Sequence, residues 1–316
     1  MIFEWKNHYG ELAVHNSTGW EHFKPNDDLM RFYVEDDHNY EPEPWEIFFN
    51  DWLLSDDPER INGILLDRWW HWDDPVERMS ADYVLAQLAA ARERMPLLRA
   101  LFIGEVTDKK FDLSWIRQGN YGPFLAAYPQ LESLVIRGGP GLSFGSLQHH
   151  QLKTLVIQAN GLSAQVVREL AAADLPALEH LELWLGCAEH GGDSTIADLQ
   201  PMLNGVGLPQ LKTLALRNCD YADLLAQALA NAPILERIKV LDLALGNLSD
   251  VGAEALFASP AIRKLDMLVL HHHYLSDAML DCWASIELAV EVSYQQFVPD
   301  DDEEEAYPIA ISGYLA

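Results

Sequence analysis

Leucine and isoleucine recur along the chain at the spacing Leu-x-x-Leu-x-Leu, and this internal repeat is its strongest pattern. The clearest copy, LKTLVIQANGL at residues 152–162, matches LxxLxLxxNxL at every defining position. Further copies place aliphatic residues at the same three positions: Leu98/Leu101/Ile103, Leu131/Leu134/Ile136, Leu178/Leu181/Leu183, Leu211/Leu214/Leu216, Ile238/Leu241/Leu243 and Leu265/Leu268/Leu270, with weaker ones at Ile61/Ile64/Leu66 and Leu288/Val290/Val292. Alternation within each copy predicts a β-strand with one buried face.

The segments between the predicted strands carry a helical pattern. Apolar spacing predicts helices over residues 163–173, 221–231, 249–258 and 276–286, three of which open on a serine that is able to cap the first free amides. The copy that begins at Leu131 is too short for a helix, so we expect a loop there. This alternation predicts an α/β fold: a right-handed leucine-rich-repeat solenoid, or horseshoe, with parallel strands on the concave wall and helices or loops outside.

The two ends of the chain do not repeat, and seven of the ten tryptophans lie at or before Trp72. Because a solenoid end exposes an apolar surface, it needs a capping unit. We therefore predict an N-terminal capping region over residues 1–60, the solenoid over 61–293, and an acidic loop with a C-terminal cap or tail over 294–316. The expected details are a strand at Phe32 and Val34, a helix from Pro44 to Leu54, a flexible acidic loop at 300–305 and a closing strand at 307–315.

The acidic balance narrows the choice of partner. The chain holds 49 acidic and 21 basic residues, a formal charge of −28. Such a field repels nucleic acid and favours a protein or peptide partner, with a basic one favoured on charge alone. The alternative is that the acidity only keeps the protein soluble. Three cysteines without CxxC spacing predict neither disulfides nor a zinc site, and the absence of an apolar leader or membrane span predicts a soluble cytoplasmic protein. The oligomeric state stays open.

Two resemblances follow from the repeats. The strand-helix unit at residues 241–256, LDLALGNLSDVGAEAL, resembles the ribonuclease-inhibitor class of leucine-rich repeats, and the likeness covers about residues 98–292. The phrases LFIGE (101–105), SWI (114–116), LEHLELWLG (178–186) and HHHYL (271–275) resemble an uncharacterised bacterial cytoplasmic family of such proteins. The first resemblance implies protein binding and no catalytic residues to transfer. The second suggests an accessory role.

In LxxLxL the leucines face the core, so the residues between them face the concave wall. Polar and aromatic residues concentrate there in the middle copies, on neighbouring strands about 4.8 Å apart. We predict one contiguous partner-binding patch made of His180, Glu182, Trp184, Arg217, Asp242 and His271. Trp and Arg are the residue types that most often anchor protein interfaces. The alternative is a solvated wall with one incidental tryptophan.

Three other motifs could carry chemistry or contacts. His271, His272 and His273 are adjacent, but successive residues of a strand face opposite sides, so we predict no metal site. His273 occupies the asparagine position of the repeat, so we expect it to hydrogen-bond turn backbone as Asn160 would. The aromatic run at residues 69–72, together with Trp115, is open to two interpretations, packing of the cap or contact with a partner.

The segment Gly141-Leu-Ser143-Phe-Gly145 matches the GxSxG nucleophile motif, with His149 or His150 as a base. That motif needs a sharp turn from a strand into a helix, whereas this copy is the shortest repeat, so we predict a non-catalytic loop. The chain has no GxxxxGK[ST] motif and no GxGxxG after a strand, so we predict no cofactor.

The leading functional prediction is therefore a non-enzymatic scaffold that binds a protein or peptide on its concave face. One alternative is an accessory subunit that presents a peptide substrate to a modifying enzyme. The other is a hydrolase or metal-dependent enzyme that uses Ser143 or the histidine-rich loops.

Overall fold

The computed structural model describes residues 2–6, 29–33, 45–70, 74–105 and 112–297. In this part of the chain eleven strands form one sheet, and their order in the sheet is their order in the sequence. The strands are β1 (Ile2–Lys6), β2 (Leu29–Tyr33), β3 (Gly63–Leu66), β4 (Ala100–Ile103), β5 (Ser133–Arg137), β6 (Thr154–Gln158), β7 (His180–Gly186), β8 (Thr213–Cys219), β9 (Val240–Asp242), β10 (Met267–Val269) and β11 (Ala289–Glu291). β1 is antiparallel to β2, and the ten strands from β2 onward are parallel.

Helices connect most of these strands. They are α1 (Trp45–Leu53), α2 (Val76–Met79), α3 (Ala81–Ala90), α4 (Gly122–Ala127), α5 (Ala164–Ala171), α6 (Ile196–Leu203), α7 (Ala222–Leu229), α8 (Asp250–Ala258) and α9 (Asp277–Ala284). The four helices predicted from spacing are confirmed as α5, α7, α8 and α9. The side chains of Ser163, Ser249 and Ser276 cap α5, α8 and α9 as predicted, and a loop joins β5 to β6. The chain is thus an α/β protein with a parallel sheet.

The register of the sheet aligns equivalent positions of the repeat. Leu134 pairs with Leu155, Leu155 with Leu181, and Leu181 with Leu214. These leucines are buried in one large core that also contains the inward side chains of the helices. Because side chains alternate along a strand, the residues between the leucines lie on the opposite surface of the sheet, which we call the second face.

Part of the second face is itself apolar and buried. Leu65, Ala100, Phe102, Val135 and Val156 form a separate hydrophobic cluster on β3 to β6. Charged side chains lie on the same face: Arg31 of β2 pairs with Asp67 at 2.8 Å, and Arg137 of β5 and Glu182 of β7 are buried. The second face therefore combines an apolar cluster with buried charges.

The N-terminal region packs on the sheet through aromatic rings. Phe32, on β2, lies with its ring centroid 5.1 Å from both Trp45 and Trp52 of α1. Because β2 pairs with β3, this region continues the sheet of the repeats. The predicted strand at Phe32 is confirmed as part of β2, and the predicted helix is confirmed as α1, which ends at Leu53 rather than Leu54. Val34 and Pro44 lie outside the described residues, as do the acidic run at 300–305 and the predicted closing strand at 307–315.

The aromatic residues at 69–72 and Trp115 were open to two interpretations, packing of the cap or contact with a partner, and they differ in exposure. Trp69 and Trp70 are buried, with ring centroids 4.6 Å apart, so they pack inside the protein. Trp115, in contrast, is 53% exposed. His71 and Trp72 lie outside the described residues. Among the helices described, none has the length and apolar character to cross a membrane.

Candidate functional site

Strand alternation and register bring the predicted patch together. His180, Glu182 and Trp184 share the second face of β7, because they are two residues apart. Trp184 pairs with Arg217 of β8, and Ala215 of β8 pairs with Asp242 of β9. The side chains of these residues and of His271 make direct contacts with one another, so the six predicted residues form one contiguous cluster.

Glu182 lies at the centre of the cluster. The indole Nε1 of Trp184 donates a 2.7 Å hydrogen bond to its Oε1 atom. Nη1 of Arg217 lies 3.6 Å from the same oxygen, and Nε2 of His180 lies 3.8 Å from Oε2. A buried carboxylate is stable only when such donors replace water. Glu182 thus organises the three side chains around it.

Arg217 connects β8 to the next two strands. Its Nε atom lies 3.4 Å from Oδ2 of Asp242, and its Nη2 atom lies 2.9 Å from Nε2 of His271. Its guanidinium carbon lies 5.7 Å from the ring centre of Trp184, within the range of a cation–π contact. One cation therefore holds together two carboxylates, one imidazole and one indole.

The polar contacts continue toward the N-terminal strands. Nε2 of Gln158 donates to Glu182 at 3.4 Å, and Nε of Arg137 donates to Oε1 of Gln158 at 2.9 Å. Arg137, Gln158, Glu182, Arg217 and Asp242 thus form a line across β5 to β9, which we call the charge ladder. Sequence reasoning left Arg137 and Gln158 out of the patch, although they hold the same repeat position as Trp184 and Arg217.

Burial distinguishes the cluster from an exposed binding surface. Glu182, Trp184 and Arg217 are 3%, 6% and 5% exposed. Trp184 and Arg217, which the sequence analysis placed in the partner-binding patch, are therefore already desolvated in the folded chain. His180, Asp242 and His271 keep partial exposure. These three side chains are the parts of the cluster that solvent reaches.

The cluster also sets the charges of its members. Burial alone would raise the pKa of Glu182, but His180, Arg217 and Trp184 outweigh it and lower the pKa to about 2. For Asp242 burial dominates over Arg217 and raises the pKa to about 6. Burial and the charge of Arg217 lower the pKa of His271 to about 4. At neutral pH the cluster therefore holds an ionised Glu182 and a neutral His271.

The three consecutive histidines depart from the predicted alternation. β10 ends at Val269, and His272 adopts φ +58°, so His271 and His272 turn toward each other with their Nδ1 atoms 2.8 Å apart. Since Arg217 can only donate, Nε2 of His271 accepts its hydrogen bond, and Nδ1 of His271 donates to His272. In the described part of the chain, no group of three or more His, Cys, Asp or Glu residues is placed to hold a metal ion.

His273 has the structural role expected from its repeat position. Its Nδ1 atom accepts from the amide of Leu275 at 3.0 Å, and its Nε2 atom donates to the carbonyl of Val292 at 2.9 Å. That prediction is confirmed. Asn160, at the equivalent position, donates to the carboxylate of Asp112 at 2.6 Å, a contact that tethers a neighbouring loop.

Replacing His271 with glutamine reduces the sensitivity of the fold to acid. The pKa of His271 falls from its ordinary 6.5 to about 4 in the folded protein, so between these values the unfolded chain binds a proton that the folded chain does not. Acidification through this window therefore favours unfolding. We expect the melting temperature to fall less between pH 7 and pH 4.5 in His271→Gln than in the wild type.

The exposed His150 provides the matched control. The melting temperature of His150→Gln should fall as far between pH 7 and pH 4.5 as that of the wild type. Asp242 acts in the opposite sense: the folded chain binds the extra proton between pH 3.8 and about 6, so acidification stabilises it there. Asp242 is present in all three proteins, so the comparison isolates His271. Equal falls in the melting temperature of the wild type and of His271→Gln would contradict a lowered pKa of His271 in the folded protein.

The contacts around Ser143 are those of a structural loop. Nδ1 of His149 accepts from the amide of Leu152 and Nε2 donates to the carbonyl of Tyr128, so neither ring nitrogen is available as a base. The amide of Phe144, which an oxyanion hole would need, donates to Glu169 at 2.7 Å. These contacts disfavour a hydrolase at Ser143.

A recess of about 540 Å³ lies beside the cluster, at the N-terminal ends of the strands. Its described lining is Asn62, Arg99, Ala100, Glu132, Ser133, Lys153, Thr154, Glu179, His180, Lys212 and Thr213. Of these residues only His180 belongs to the patch predicted from sequence. The signal that could have found the others is the position after the first leucine, which alternates in charge as Arg, Glu, Lys, Glu, Lys from β4 to β8.

Comparison with known proteins bears on the fold. No protein-family model matches the chain, and no curated protein matches it. Among solved structures, it is similar to a protein of Bacteroides fragilis that was determined as a structural-genomics target. The two share 25% sequence identity and a TM-score of 0.74, over 87% of this chain and 76% of that chain. The description of that protein names no activity or ligand.

Proposed function

We propose that the protein is a leucine-rich-repeat scaffold of the ribonuclease-inhibitor type, which binds a protein or peptide on the second face of its sheet and catalyses no reaction. The observation that carries the proposal is the alignment of repeat positions, in which Leu134, Leu155, Leu181 and Leu214 pair across consecutive parallel strands. In such a solenoid the second face is the concave wall, and each repeat adds one strand to a continuous binding surface.

The contacts within the charge ladder fix the side chains of this surface in place. Side chains that are locked by mutual contacts lose little further freedom when a partner binds, which improves affinity. The ladder holds Glu182 against His180, and His180 also lines the recess. The partly exposed His180, Asp242 and His271 then offer direct contacts. The buried Trp184 and Arg217 act as the support of the surface.

Charge and cysteine chemistry complete the proposal. The formal charge of −28 favours encounter with a partner that is basic overall. Cys187, Cys219 and Cys282 are free thiols, which fits a reducing compartment, so we propose a cytoplasmic location.

Site-specific photo-crosslinking in native cells tests the proposal. A photoreactive phenylalanine at Met267 reports on the second face of β10, because Met267 is 37% exposed there. The same group at Val251, 59% exposed on α8 of the neighbouring repeat, reports on the helical side. A third probe at Thr213 reports on the recess.

We expect one defined protein to be cross-linked from Met267 and Thr213 and not from Val251. Cross-links that form from Val251 alone would contradict binding on the second face. Equal unfolding temperatures of the labelled proteins serve as the control for folding.

A further inference from the structure

The recess beside the cluster has a narrow polar floor. Ala100, Ser133, Thr154, His180 and Thr213 stand at the first second-face position of five consecutive strands, and the register places them side by side. Four of the five have short side chains, so a chain could approach the sheet closely. Hydroxyl groups both donate and accept hydrogen bonds, as do the amide groups of a peptide backbone.

One floor group points to a ligand directly. Ser133 is 6% exposed and lines the recess, yet its Oγ atom has no hydrogen-bond partner. A buried hydroxyl without a partner costs free energy, which a ligand with a polar group at this place would recover. The recess therefore has an unsatisfied hydroxyl in its floor, which is closed to solvent and which a bound backbone would reach after rotation of the Ser133 side chain.

The rim carries charges of both signs. Lys153 pairs with Glu132 at 2.6 Å, and Lys212 pairs with Glu179 at 2.7 Å. These ion pairs are exposed, so they contribute little to stability and can exchange partners readily. With Arg99 the rim has three cations and two anions, in contrast to the strongly acidic chain as a whole.

We propose that this recess binds an extended peptide segment that carries both acidic and basic side chains and crosses β4 to β8. The inference rests on the proposed function and names the form of the ligand. Five strands about 4.8 Å apart span about 19 Å, which corresponds to about six residues of extended chain. The backbone of the segment lies over Ser133 and hydrogen-bonds the Thr154 and Thr213 hydroxyls, while its charged side chains replace the mutual ion pairs of the rim.

Fluorescence anisotropy with synthetic peptides tests the inference on the full chain. The probe is a labelled peptide of about twelve residues, twice the estimated length of the recess, with alternating glutamate and lysine separated by serine. Peptides of the same length with glutamate alone or lysine alone are the matched probes. We expect the alternating peptide to bind about tenfold more tightly than either.

Two variants place the binding in the recess. Thr154→Trp fills the floor, and Lys153→Glu removes one rim cation without touching the core. Each should weaken binding of the alternating peptide about tenfold. The controls are Gln165→Trp, on the exposed surface of α5, and Lys264→Glu, which removes a cation that pairs with Glu236 outside the recess. Both controls should bind as the wild type does.

Several results would overturn the inference. If the variants and the controls bind the alternating peptide equally well, the peptide binds outside the recess. If the single-charge peptides bind as tightly as the alternating peptide, the rim charges do not select a peptide with both charges. Binding of a neutral oligosaccharide in place of the peptide would assign the recess to carbohydrates. If Met267 cross-links a partner whose affinity Thr154→Trp leaves unchanged, the recess inference fails while the proposed function stands.

Discussion

Replacement of Arg217 with methionine is expected to lower the free energy of unfolding by about 3–5 kcal/mol. The side chain volumes are similar, so the change removes mainly the charge. Arg217 is the cation between Glu182 and Asp242, and without it the buried Glu182 and the partly exposed Asp242 lose the charge that both contact. Loss of one member of a buried charge pair leaves the other without compensation, which costs more than the pair itself contributes. Chemical denaturation of the purified variant measures the effect.

Arg168→Met provides the matched control. Arg168 also pairs with a carboxylate, Asp198 at 2.8 Å, but its side chain is 59% exposed. We expect a loss below about 1 kcal/mol there. Adding Glu182→Gln to Arg217→Met should recover part of the loss, because one buried charge is then removed along with its partner. Similar losses in the Arg217 and Arg168 variants would contradict the view of the ladder as a buried network.

Gly186→Ala is expected to lower the free energy of unfolding by about 3 kcal/mol or more. Gly186 ends β7 with φ +67°, and a Cβ atom there would lie 1.8 Å from the carbonyl oxygen of Asn160. To relieve this contact the two loops must separate, which breaks the hydrogen bonds from Cys187 to Asn160 and from Leu162 to Leu185. Two lost hydrogen bonds at about 1 kcal/mol each and about 1 kcal/mol of backbone strain give the estimate.

Gly145→Ala is the control that separates the cost of left-handed backbone from the cost of the steric contact with Asn160. Gly145 has a similar φ of +63°, but no atom lies within 4 Å of the position of its Cβ. We therefore expect a loss of only about 1 kcal/mol, from left-handed backbone alone. Thermal and urea unfolding of both variants, compared with the wild type, measure the difference. A Gly145 variant as unstable as the Gly186 variant would refute the packing of these loops.

The repeat made the strands from β3 onward, four of the nine described helices and the facing of side chains predictable from sequence. Local periodicity decides these features, because the leucine positions alternate along each strand and Ser163, Ser249 and Ser276 cap their helices. The same alternation correctly grouped Glu182 with Trp184. It failed at His272, because a positive φ after the end of β10 changes the direction of the side chain, and no spacing rule encodes that turn.

Exposure could not be predicted in the same way. Alternation assigns a side chain to a face, but its burial depends on what else packs there and on contacts between distant repeats. Arg217 and Trp184 were predicted as part of a partner-binding patch, and they are buried with Glu182 in a network whose members come from three strands. The recess was missed for a related reason. Its floor consists of short residues that carry no chemical motif and become a site only when five strands align them.

The most direct test of binding on the second face is the ratio of cross-linking yields from Met267 and Val251 in native cells. The two positions belong to neighbouring repeats and are both exposed, so they differ mainly in the side of the sheet on which they lie. Binding on the second face predicts that one defined partner is cross-linked from Met267 and not from Val251. A higher yield from Val251, with the same partner, would place the interface on the helices and contradict the account.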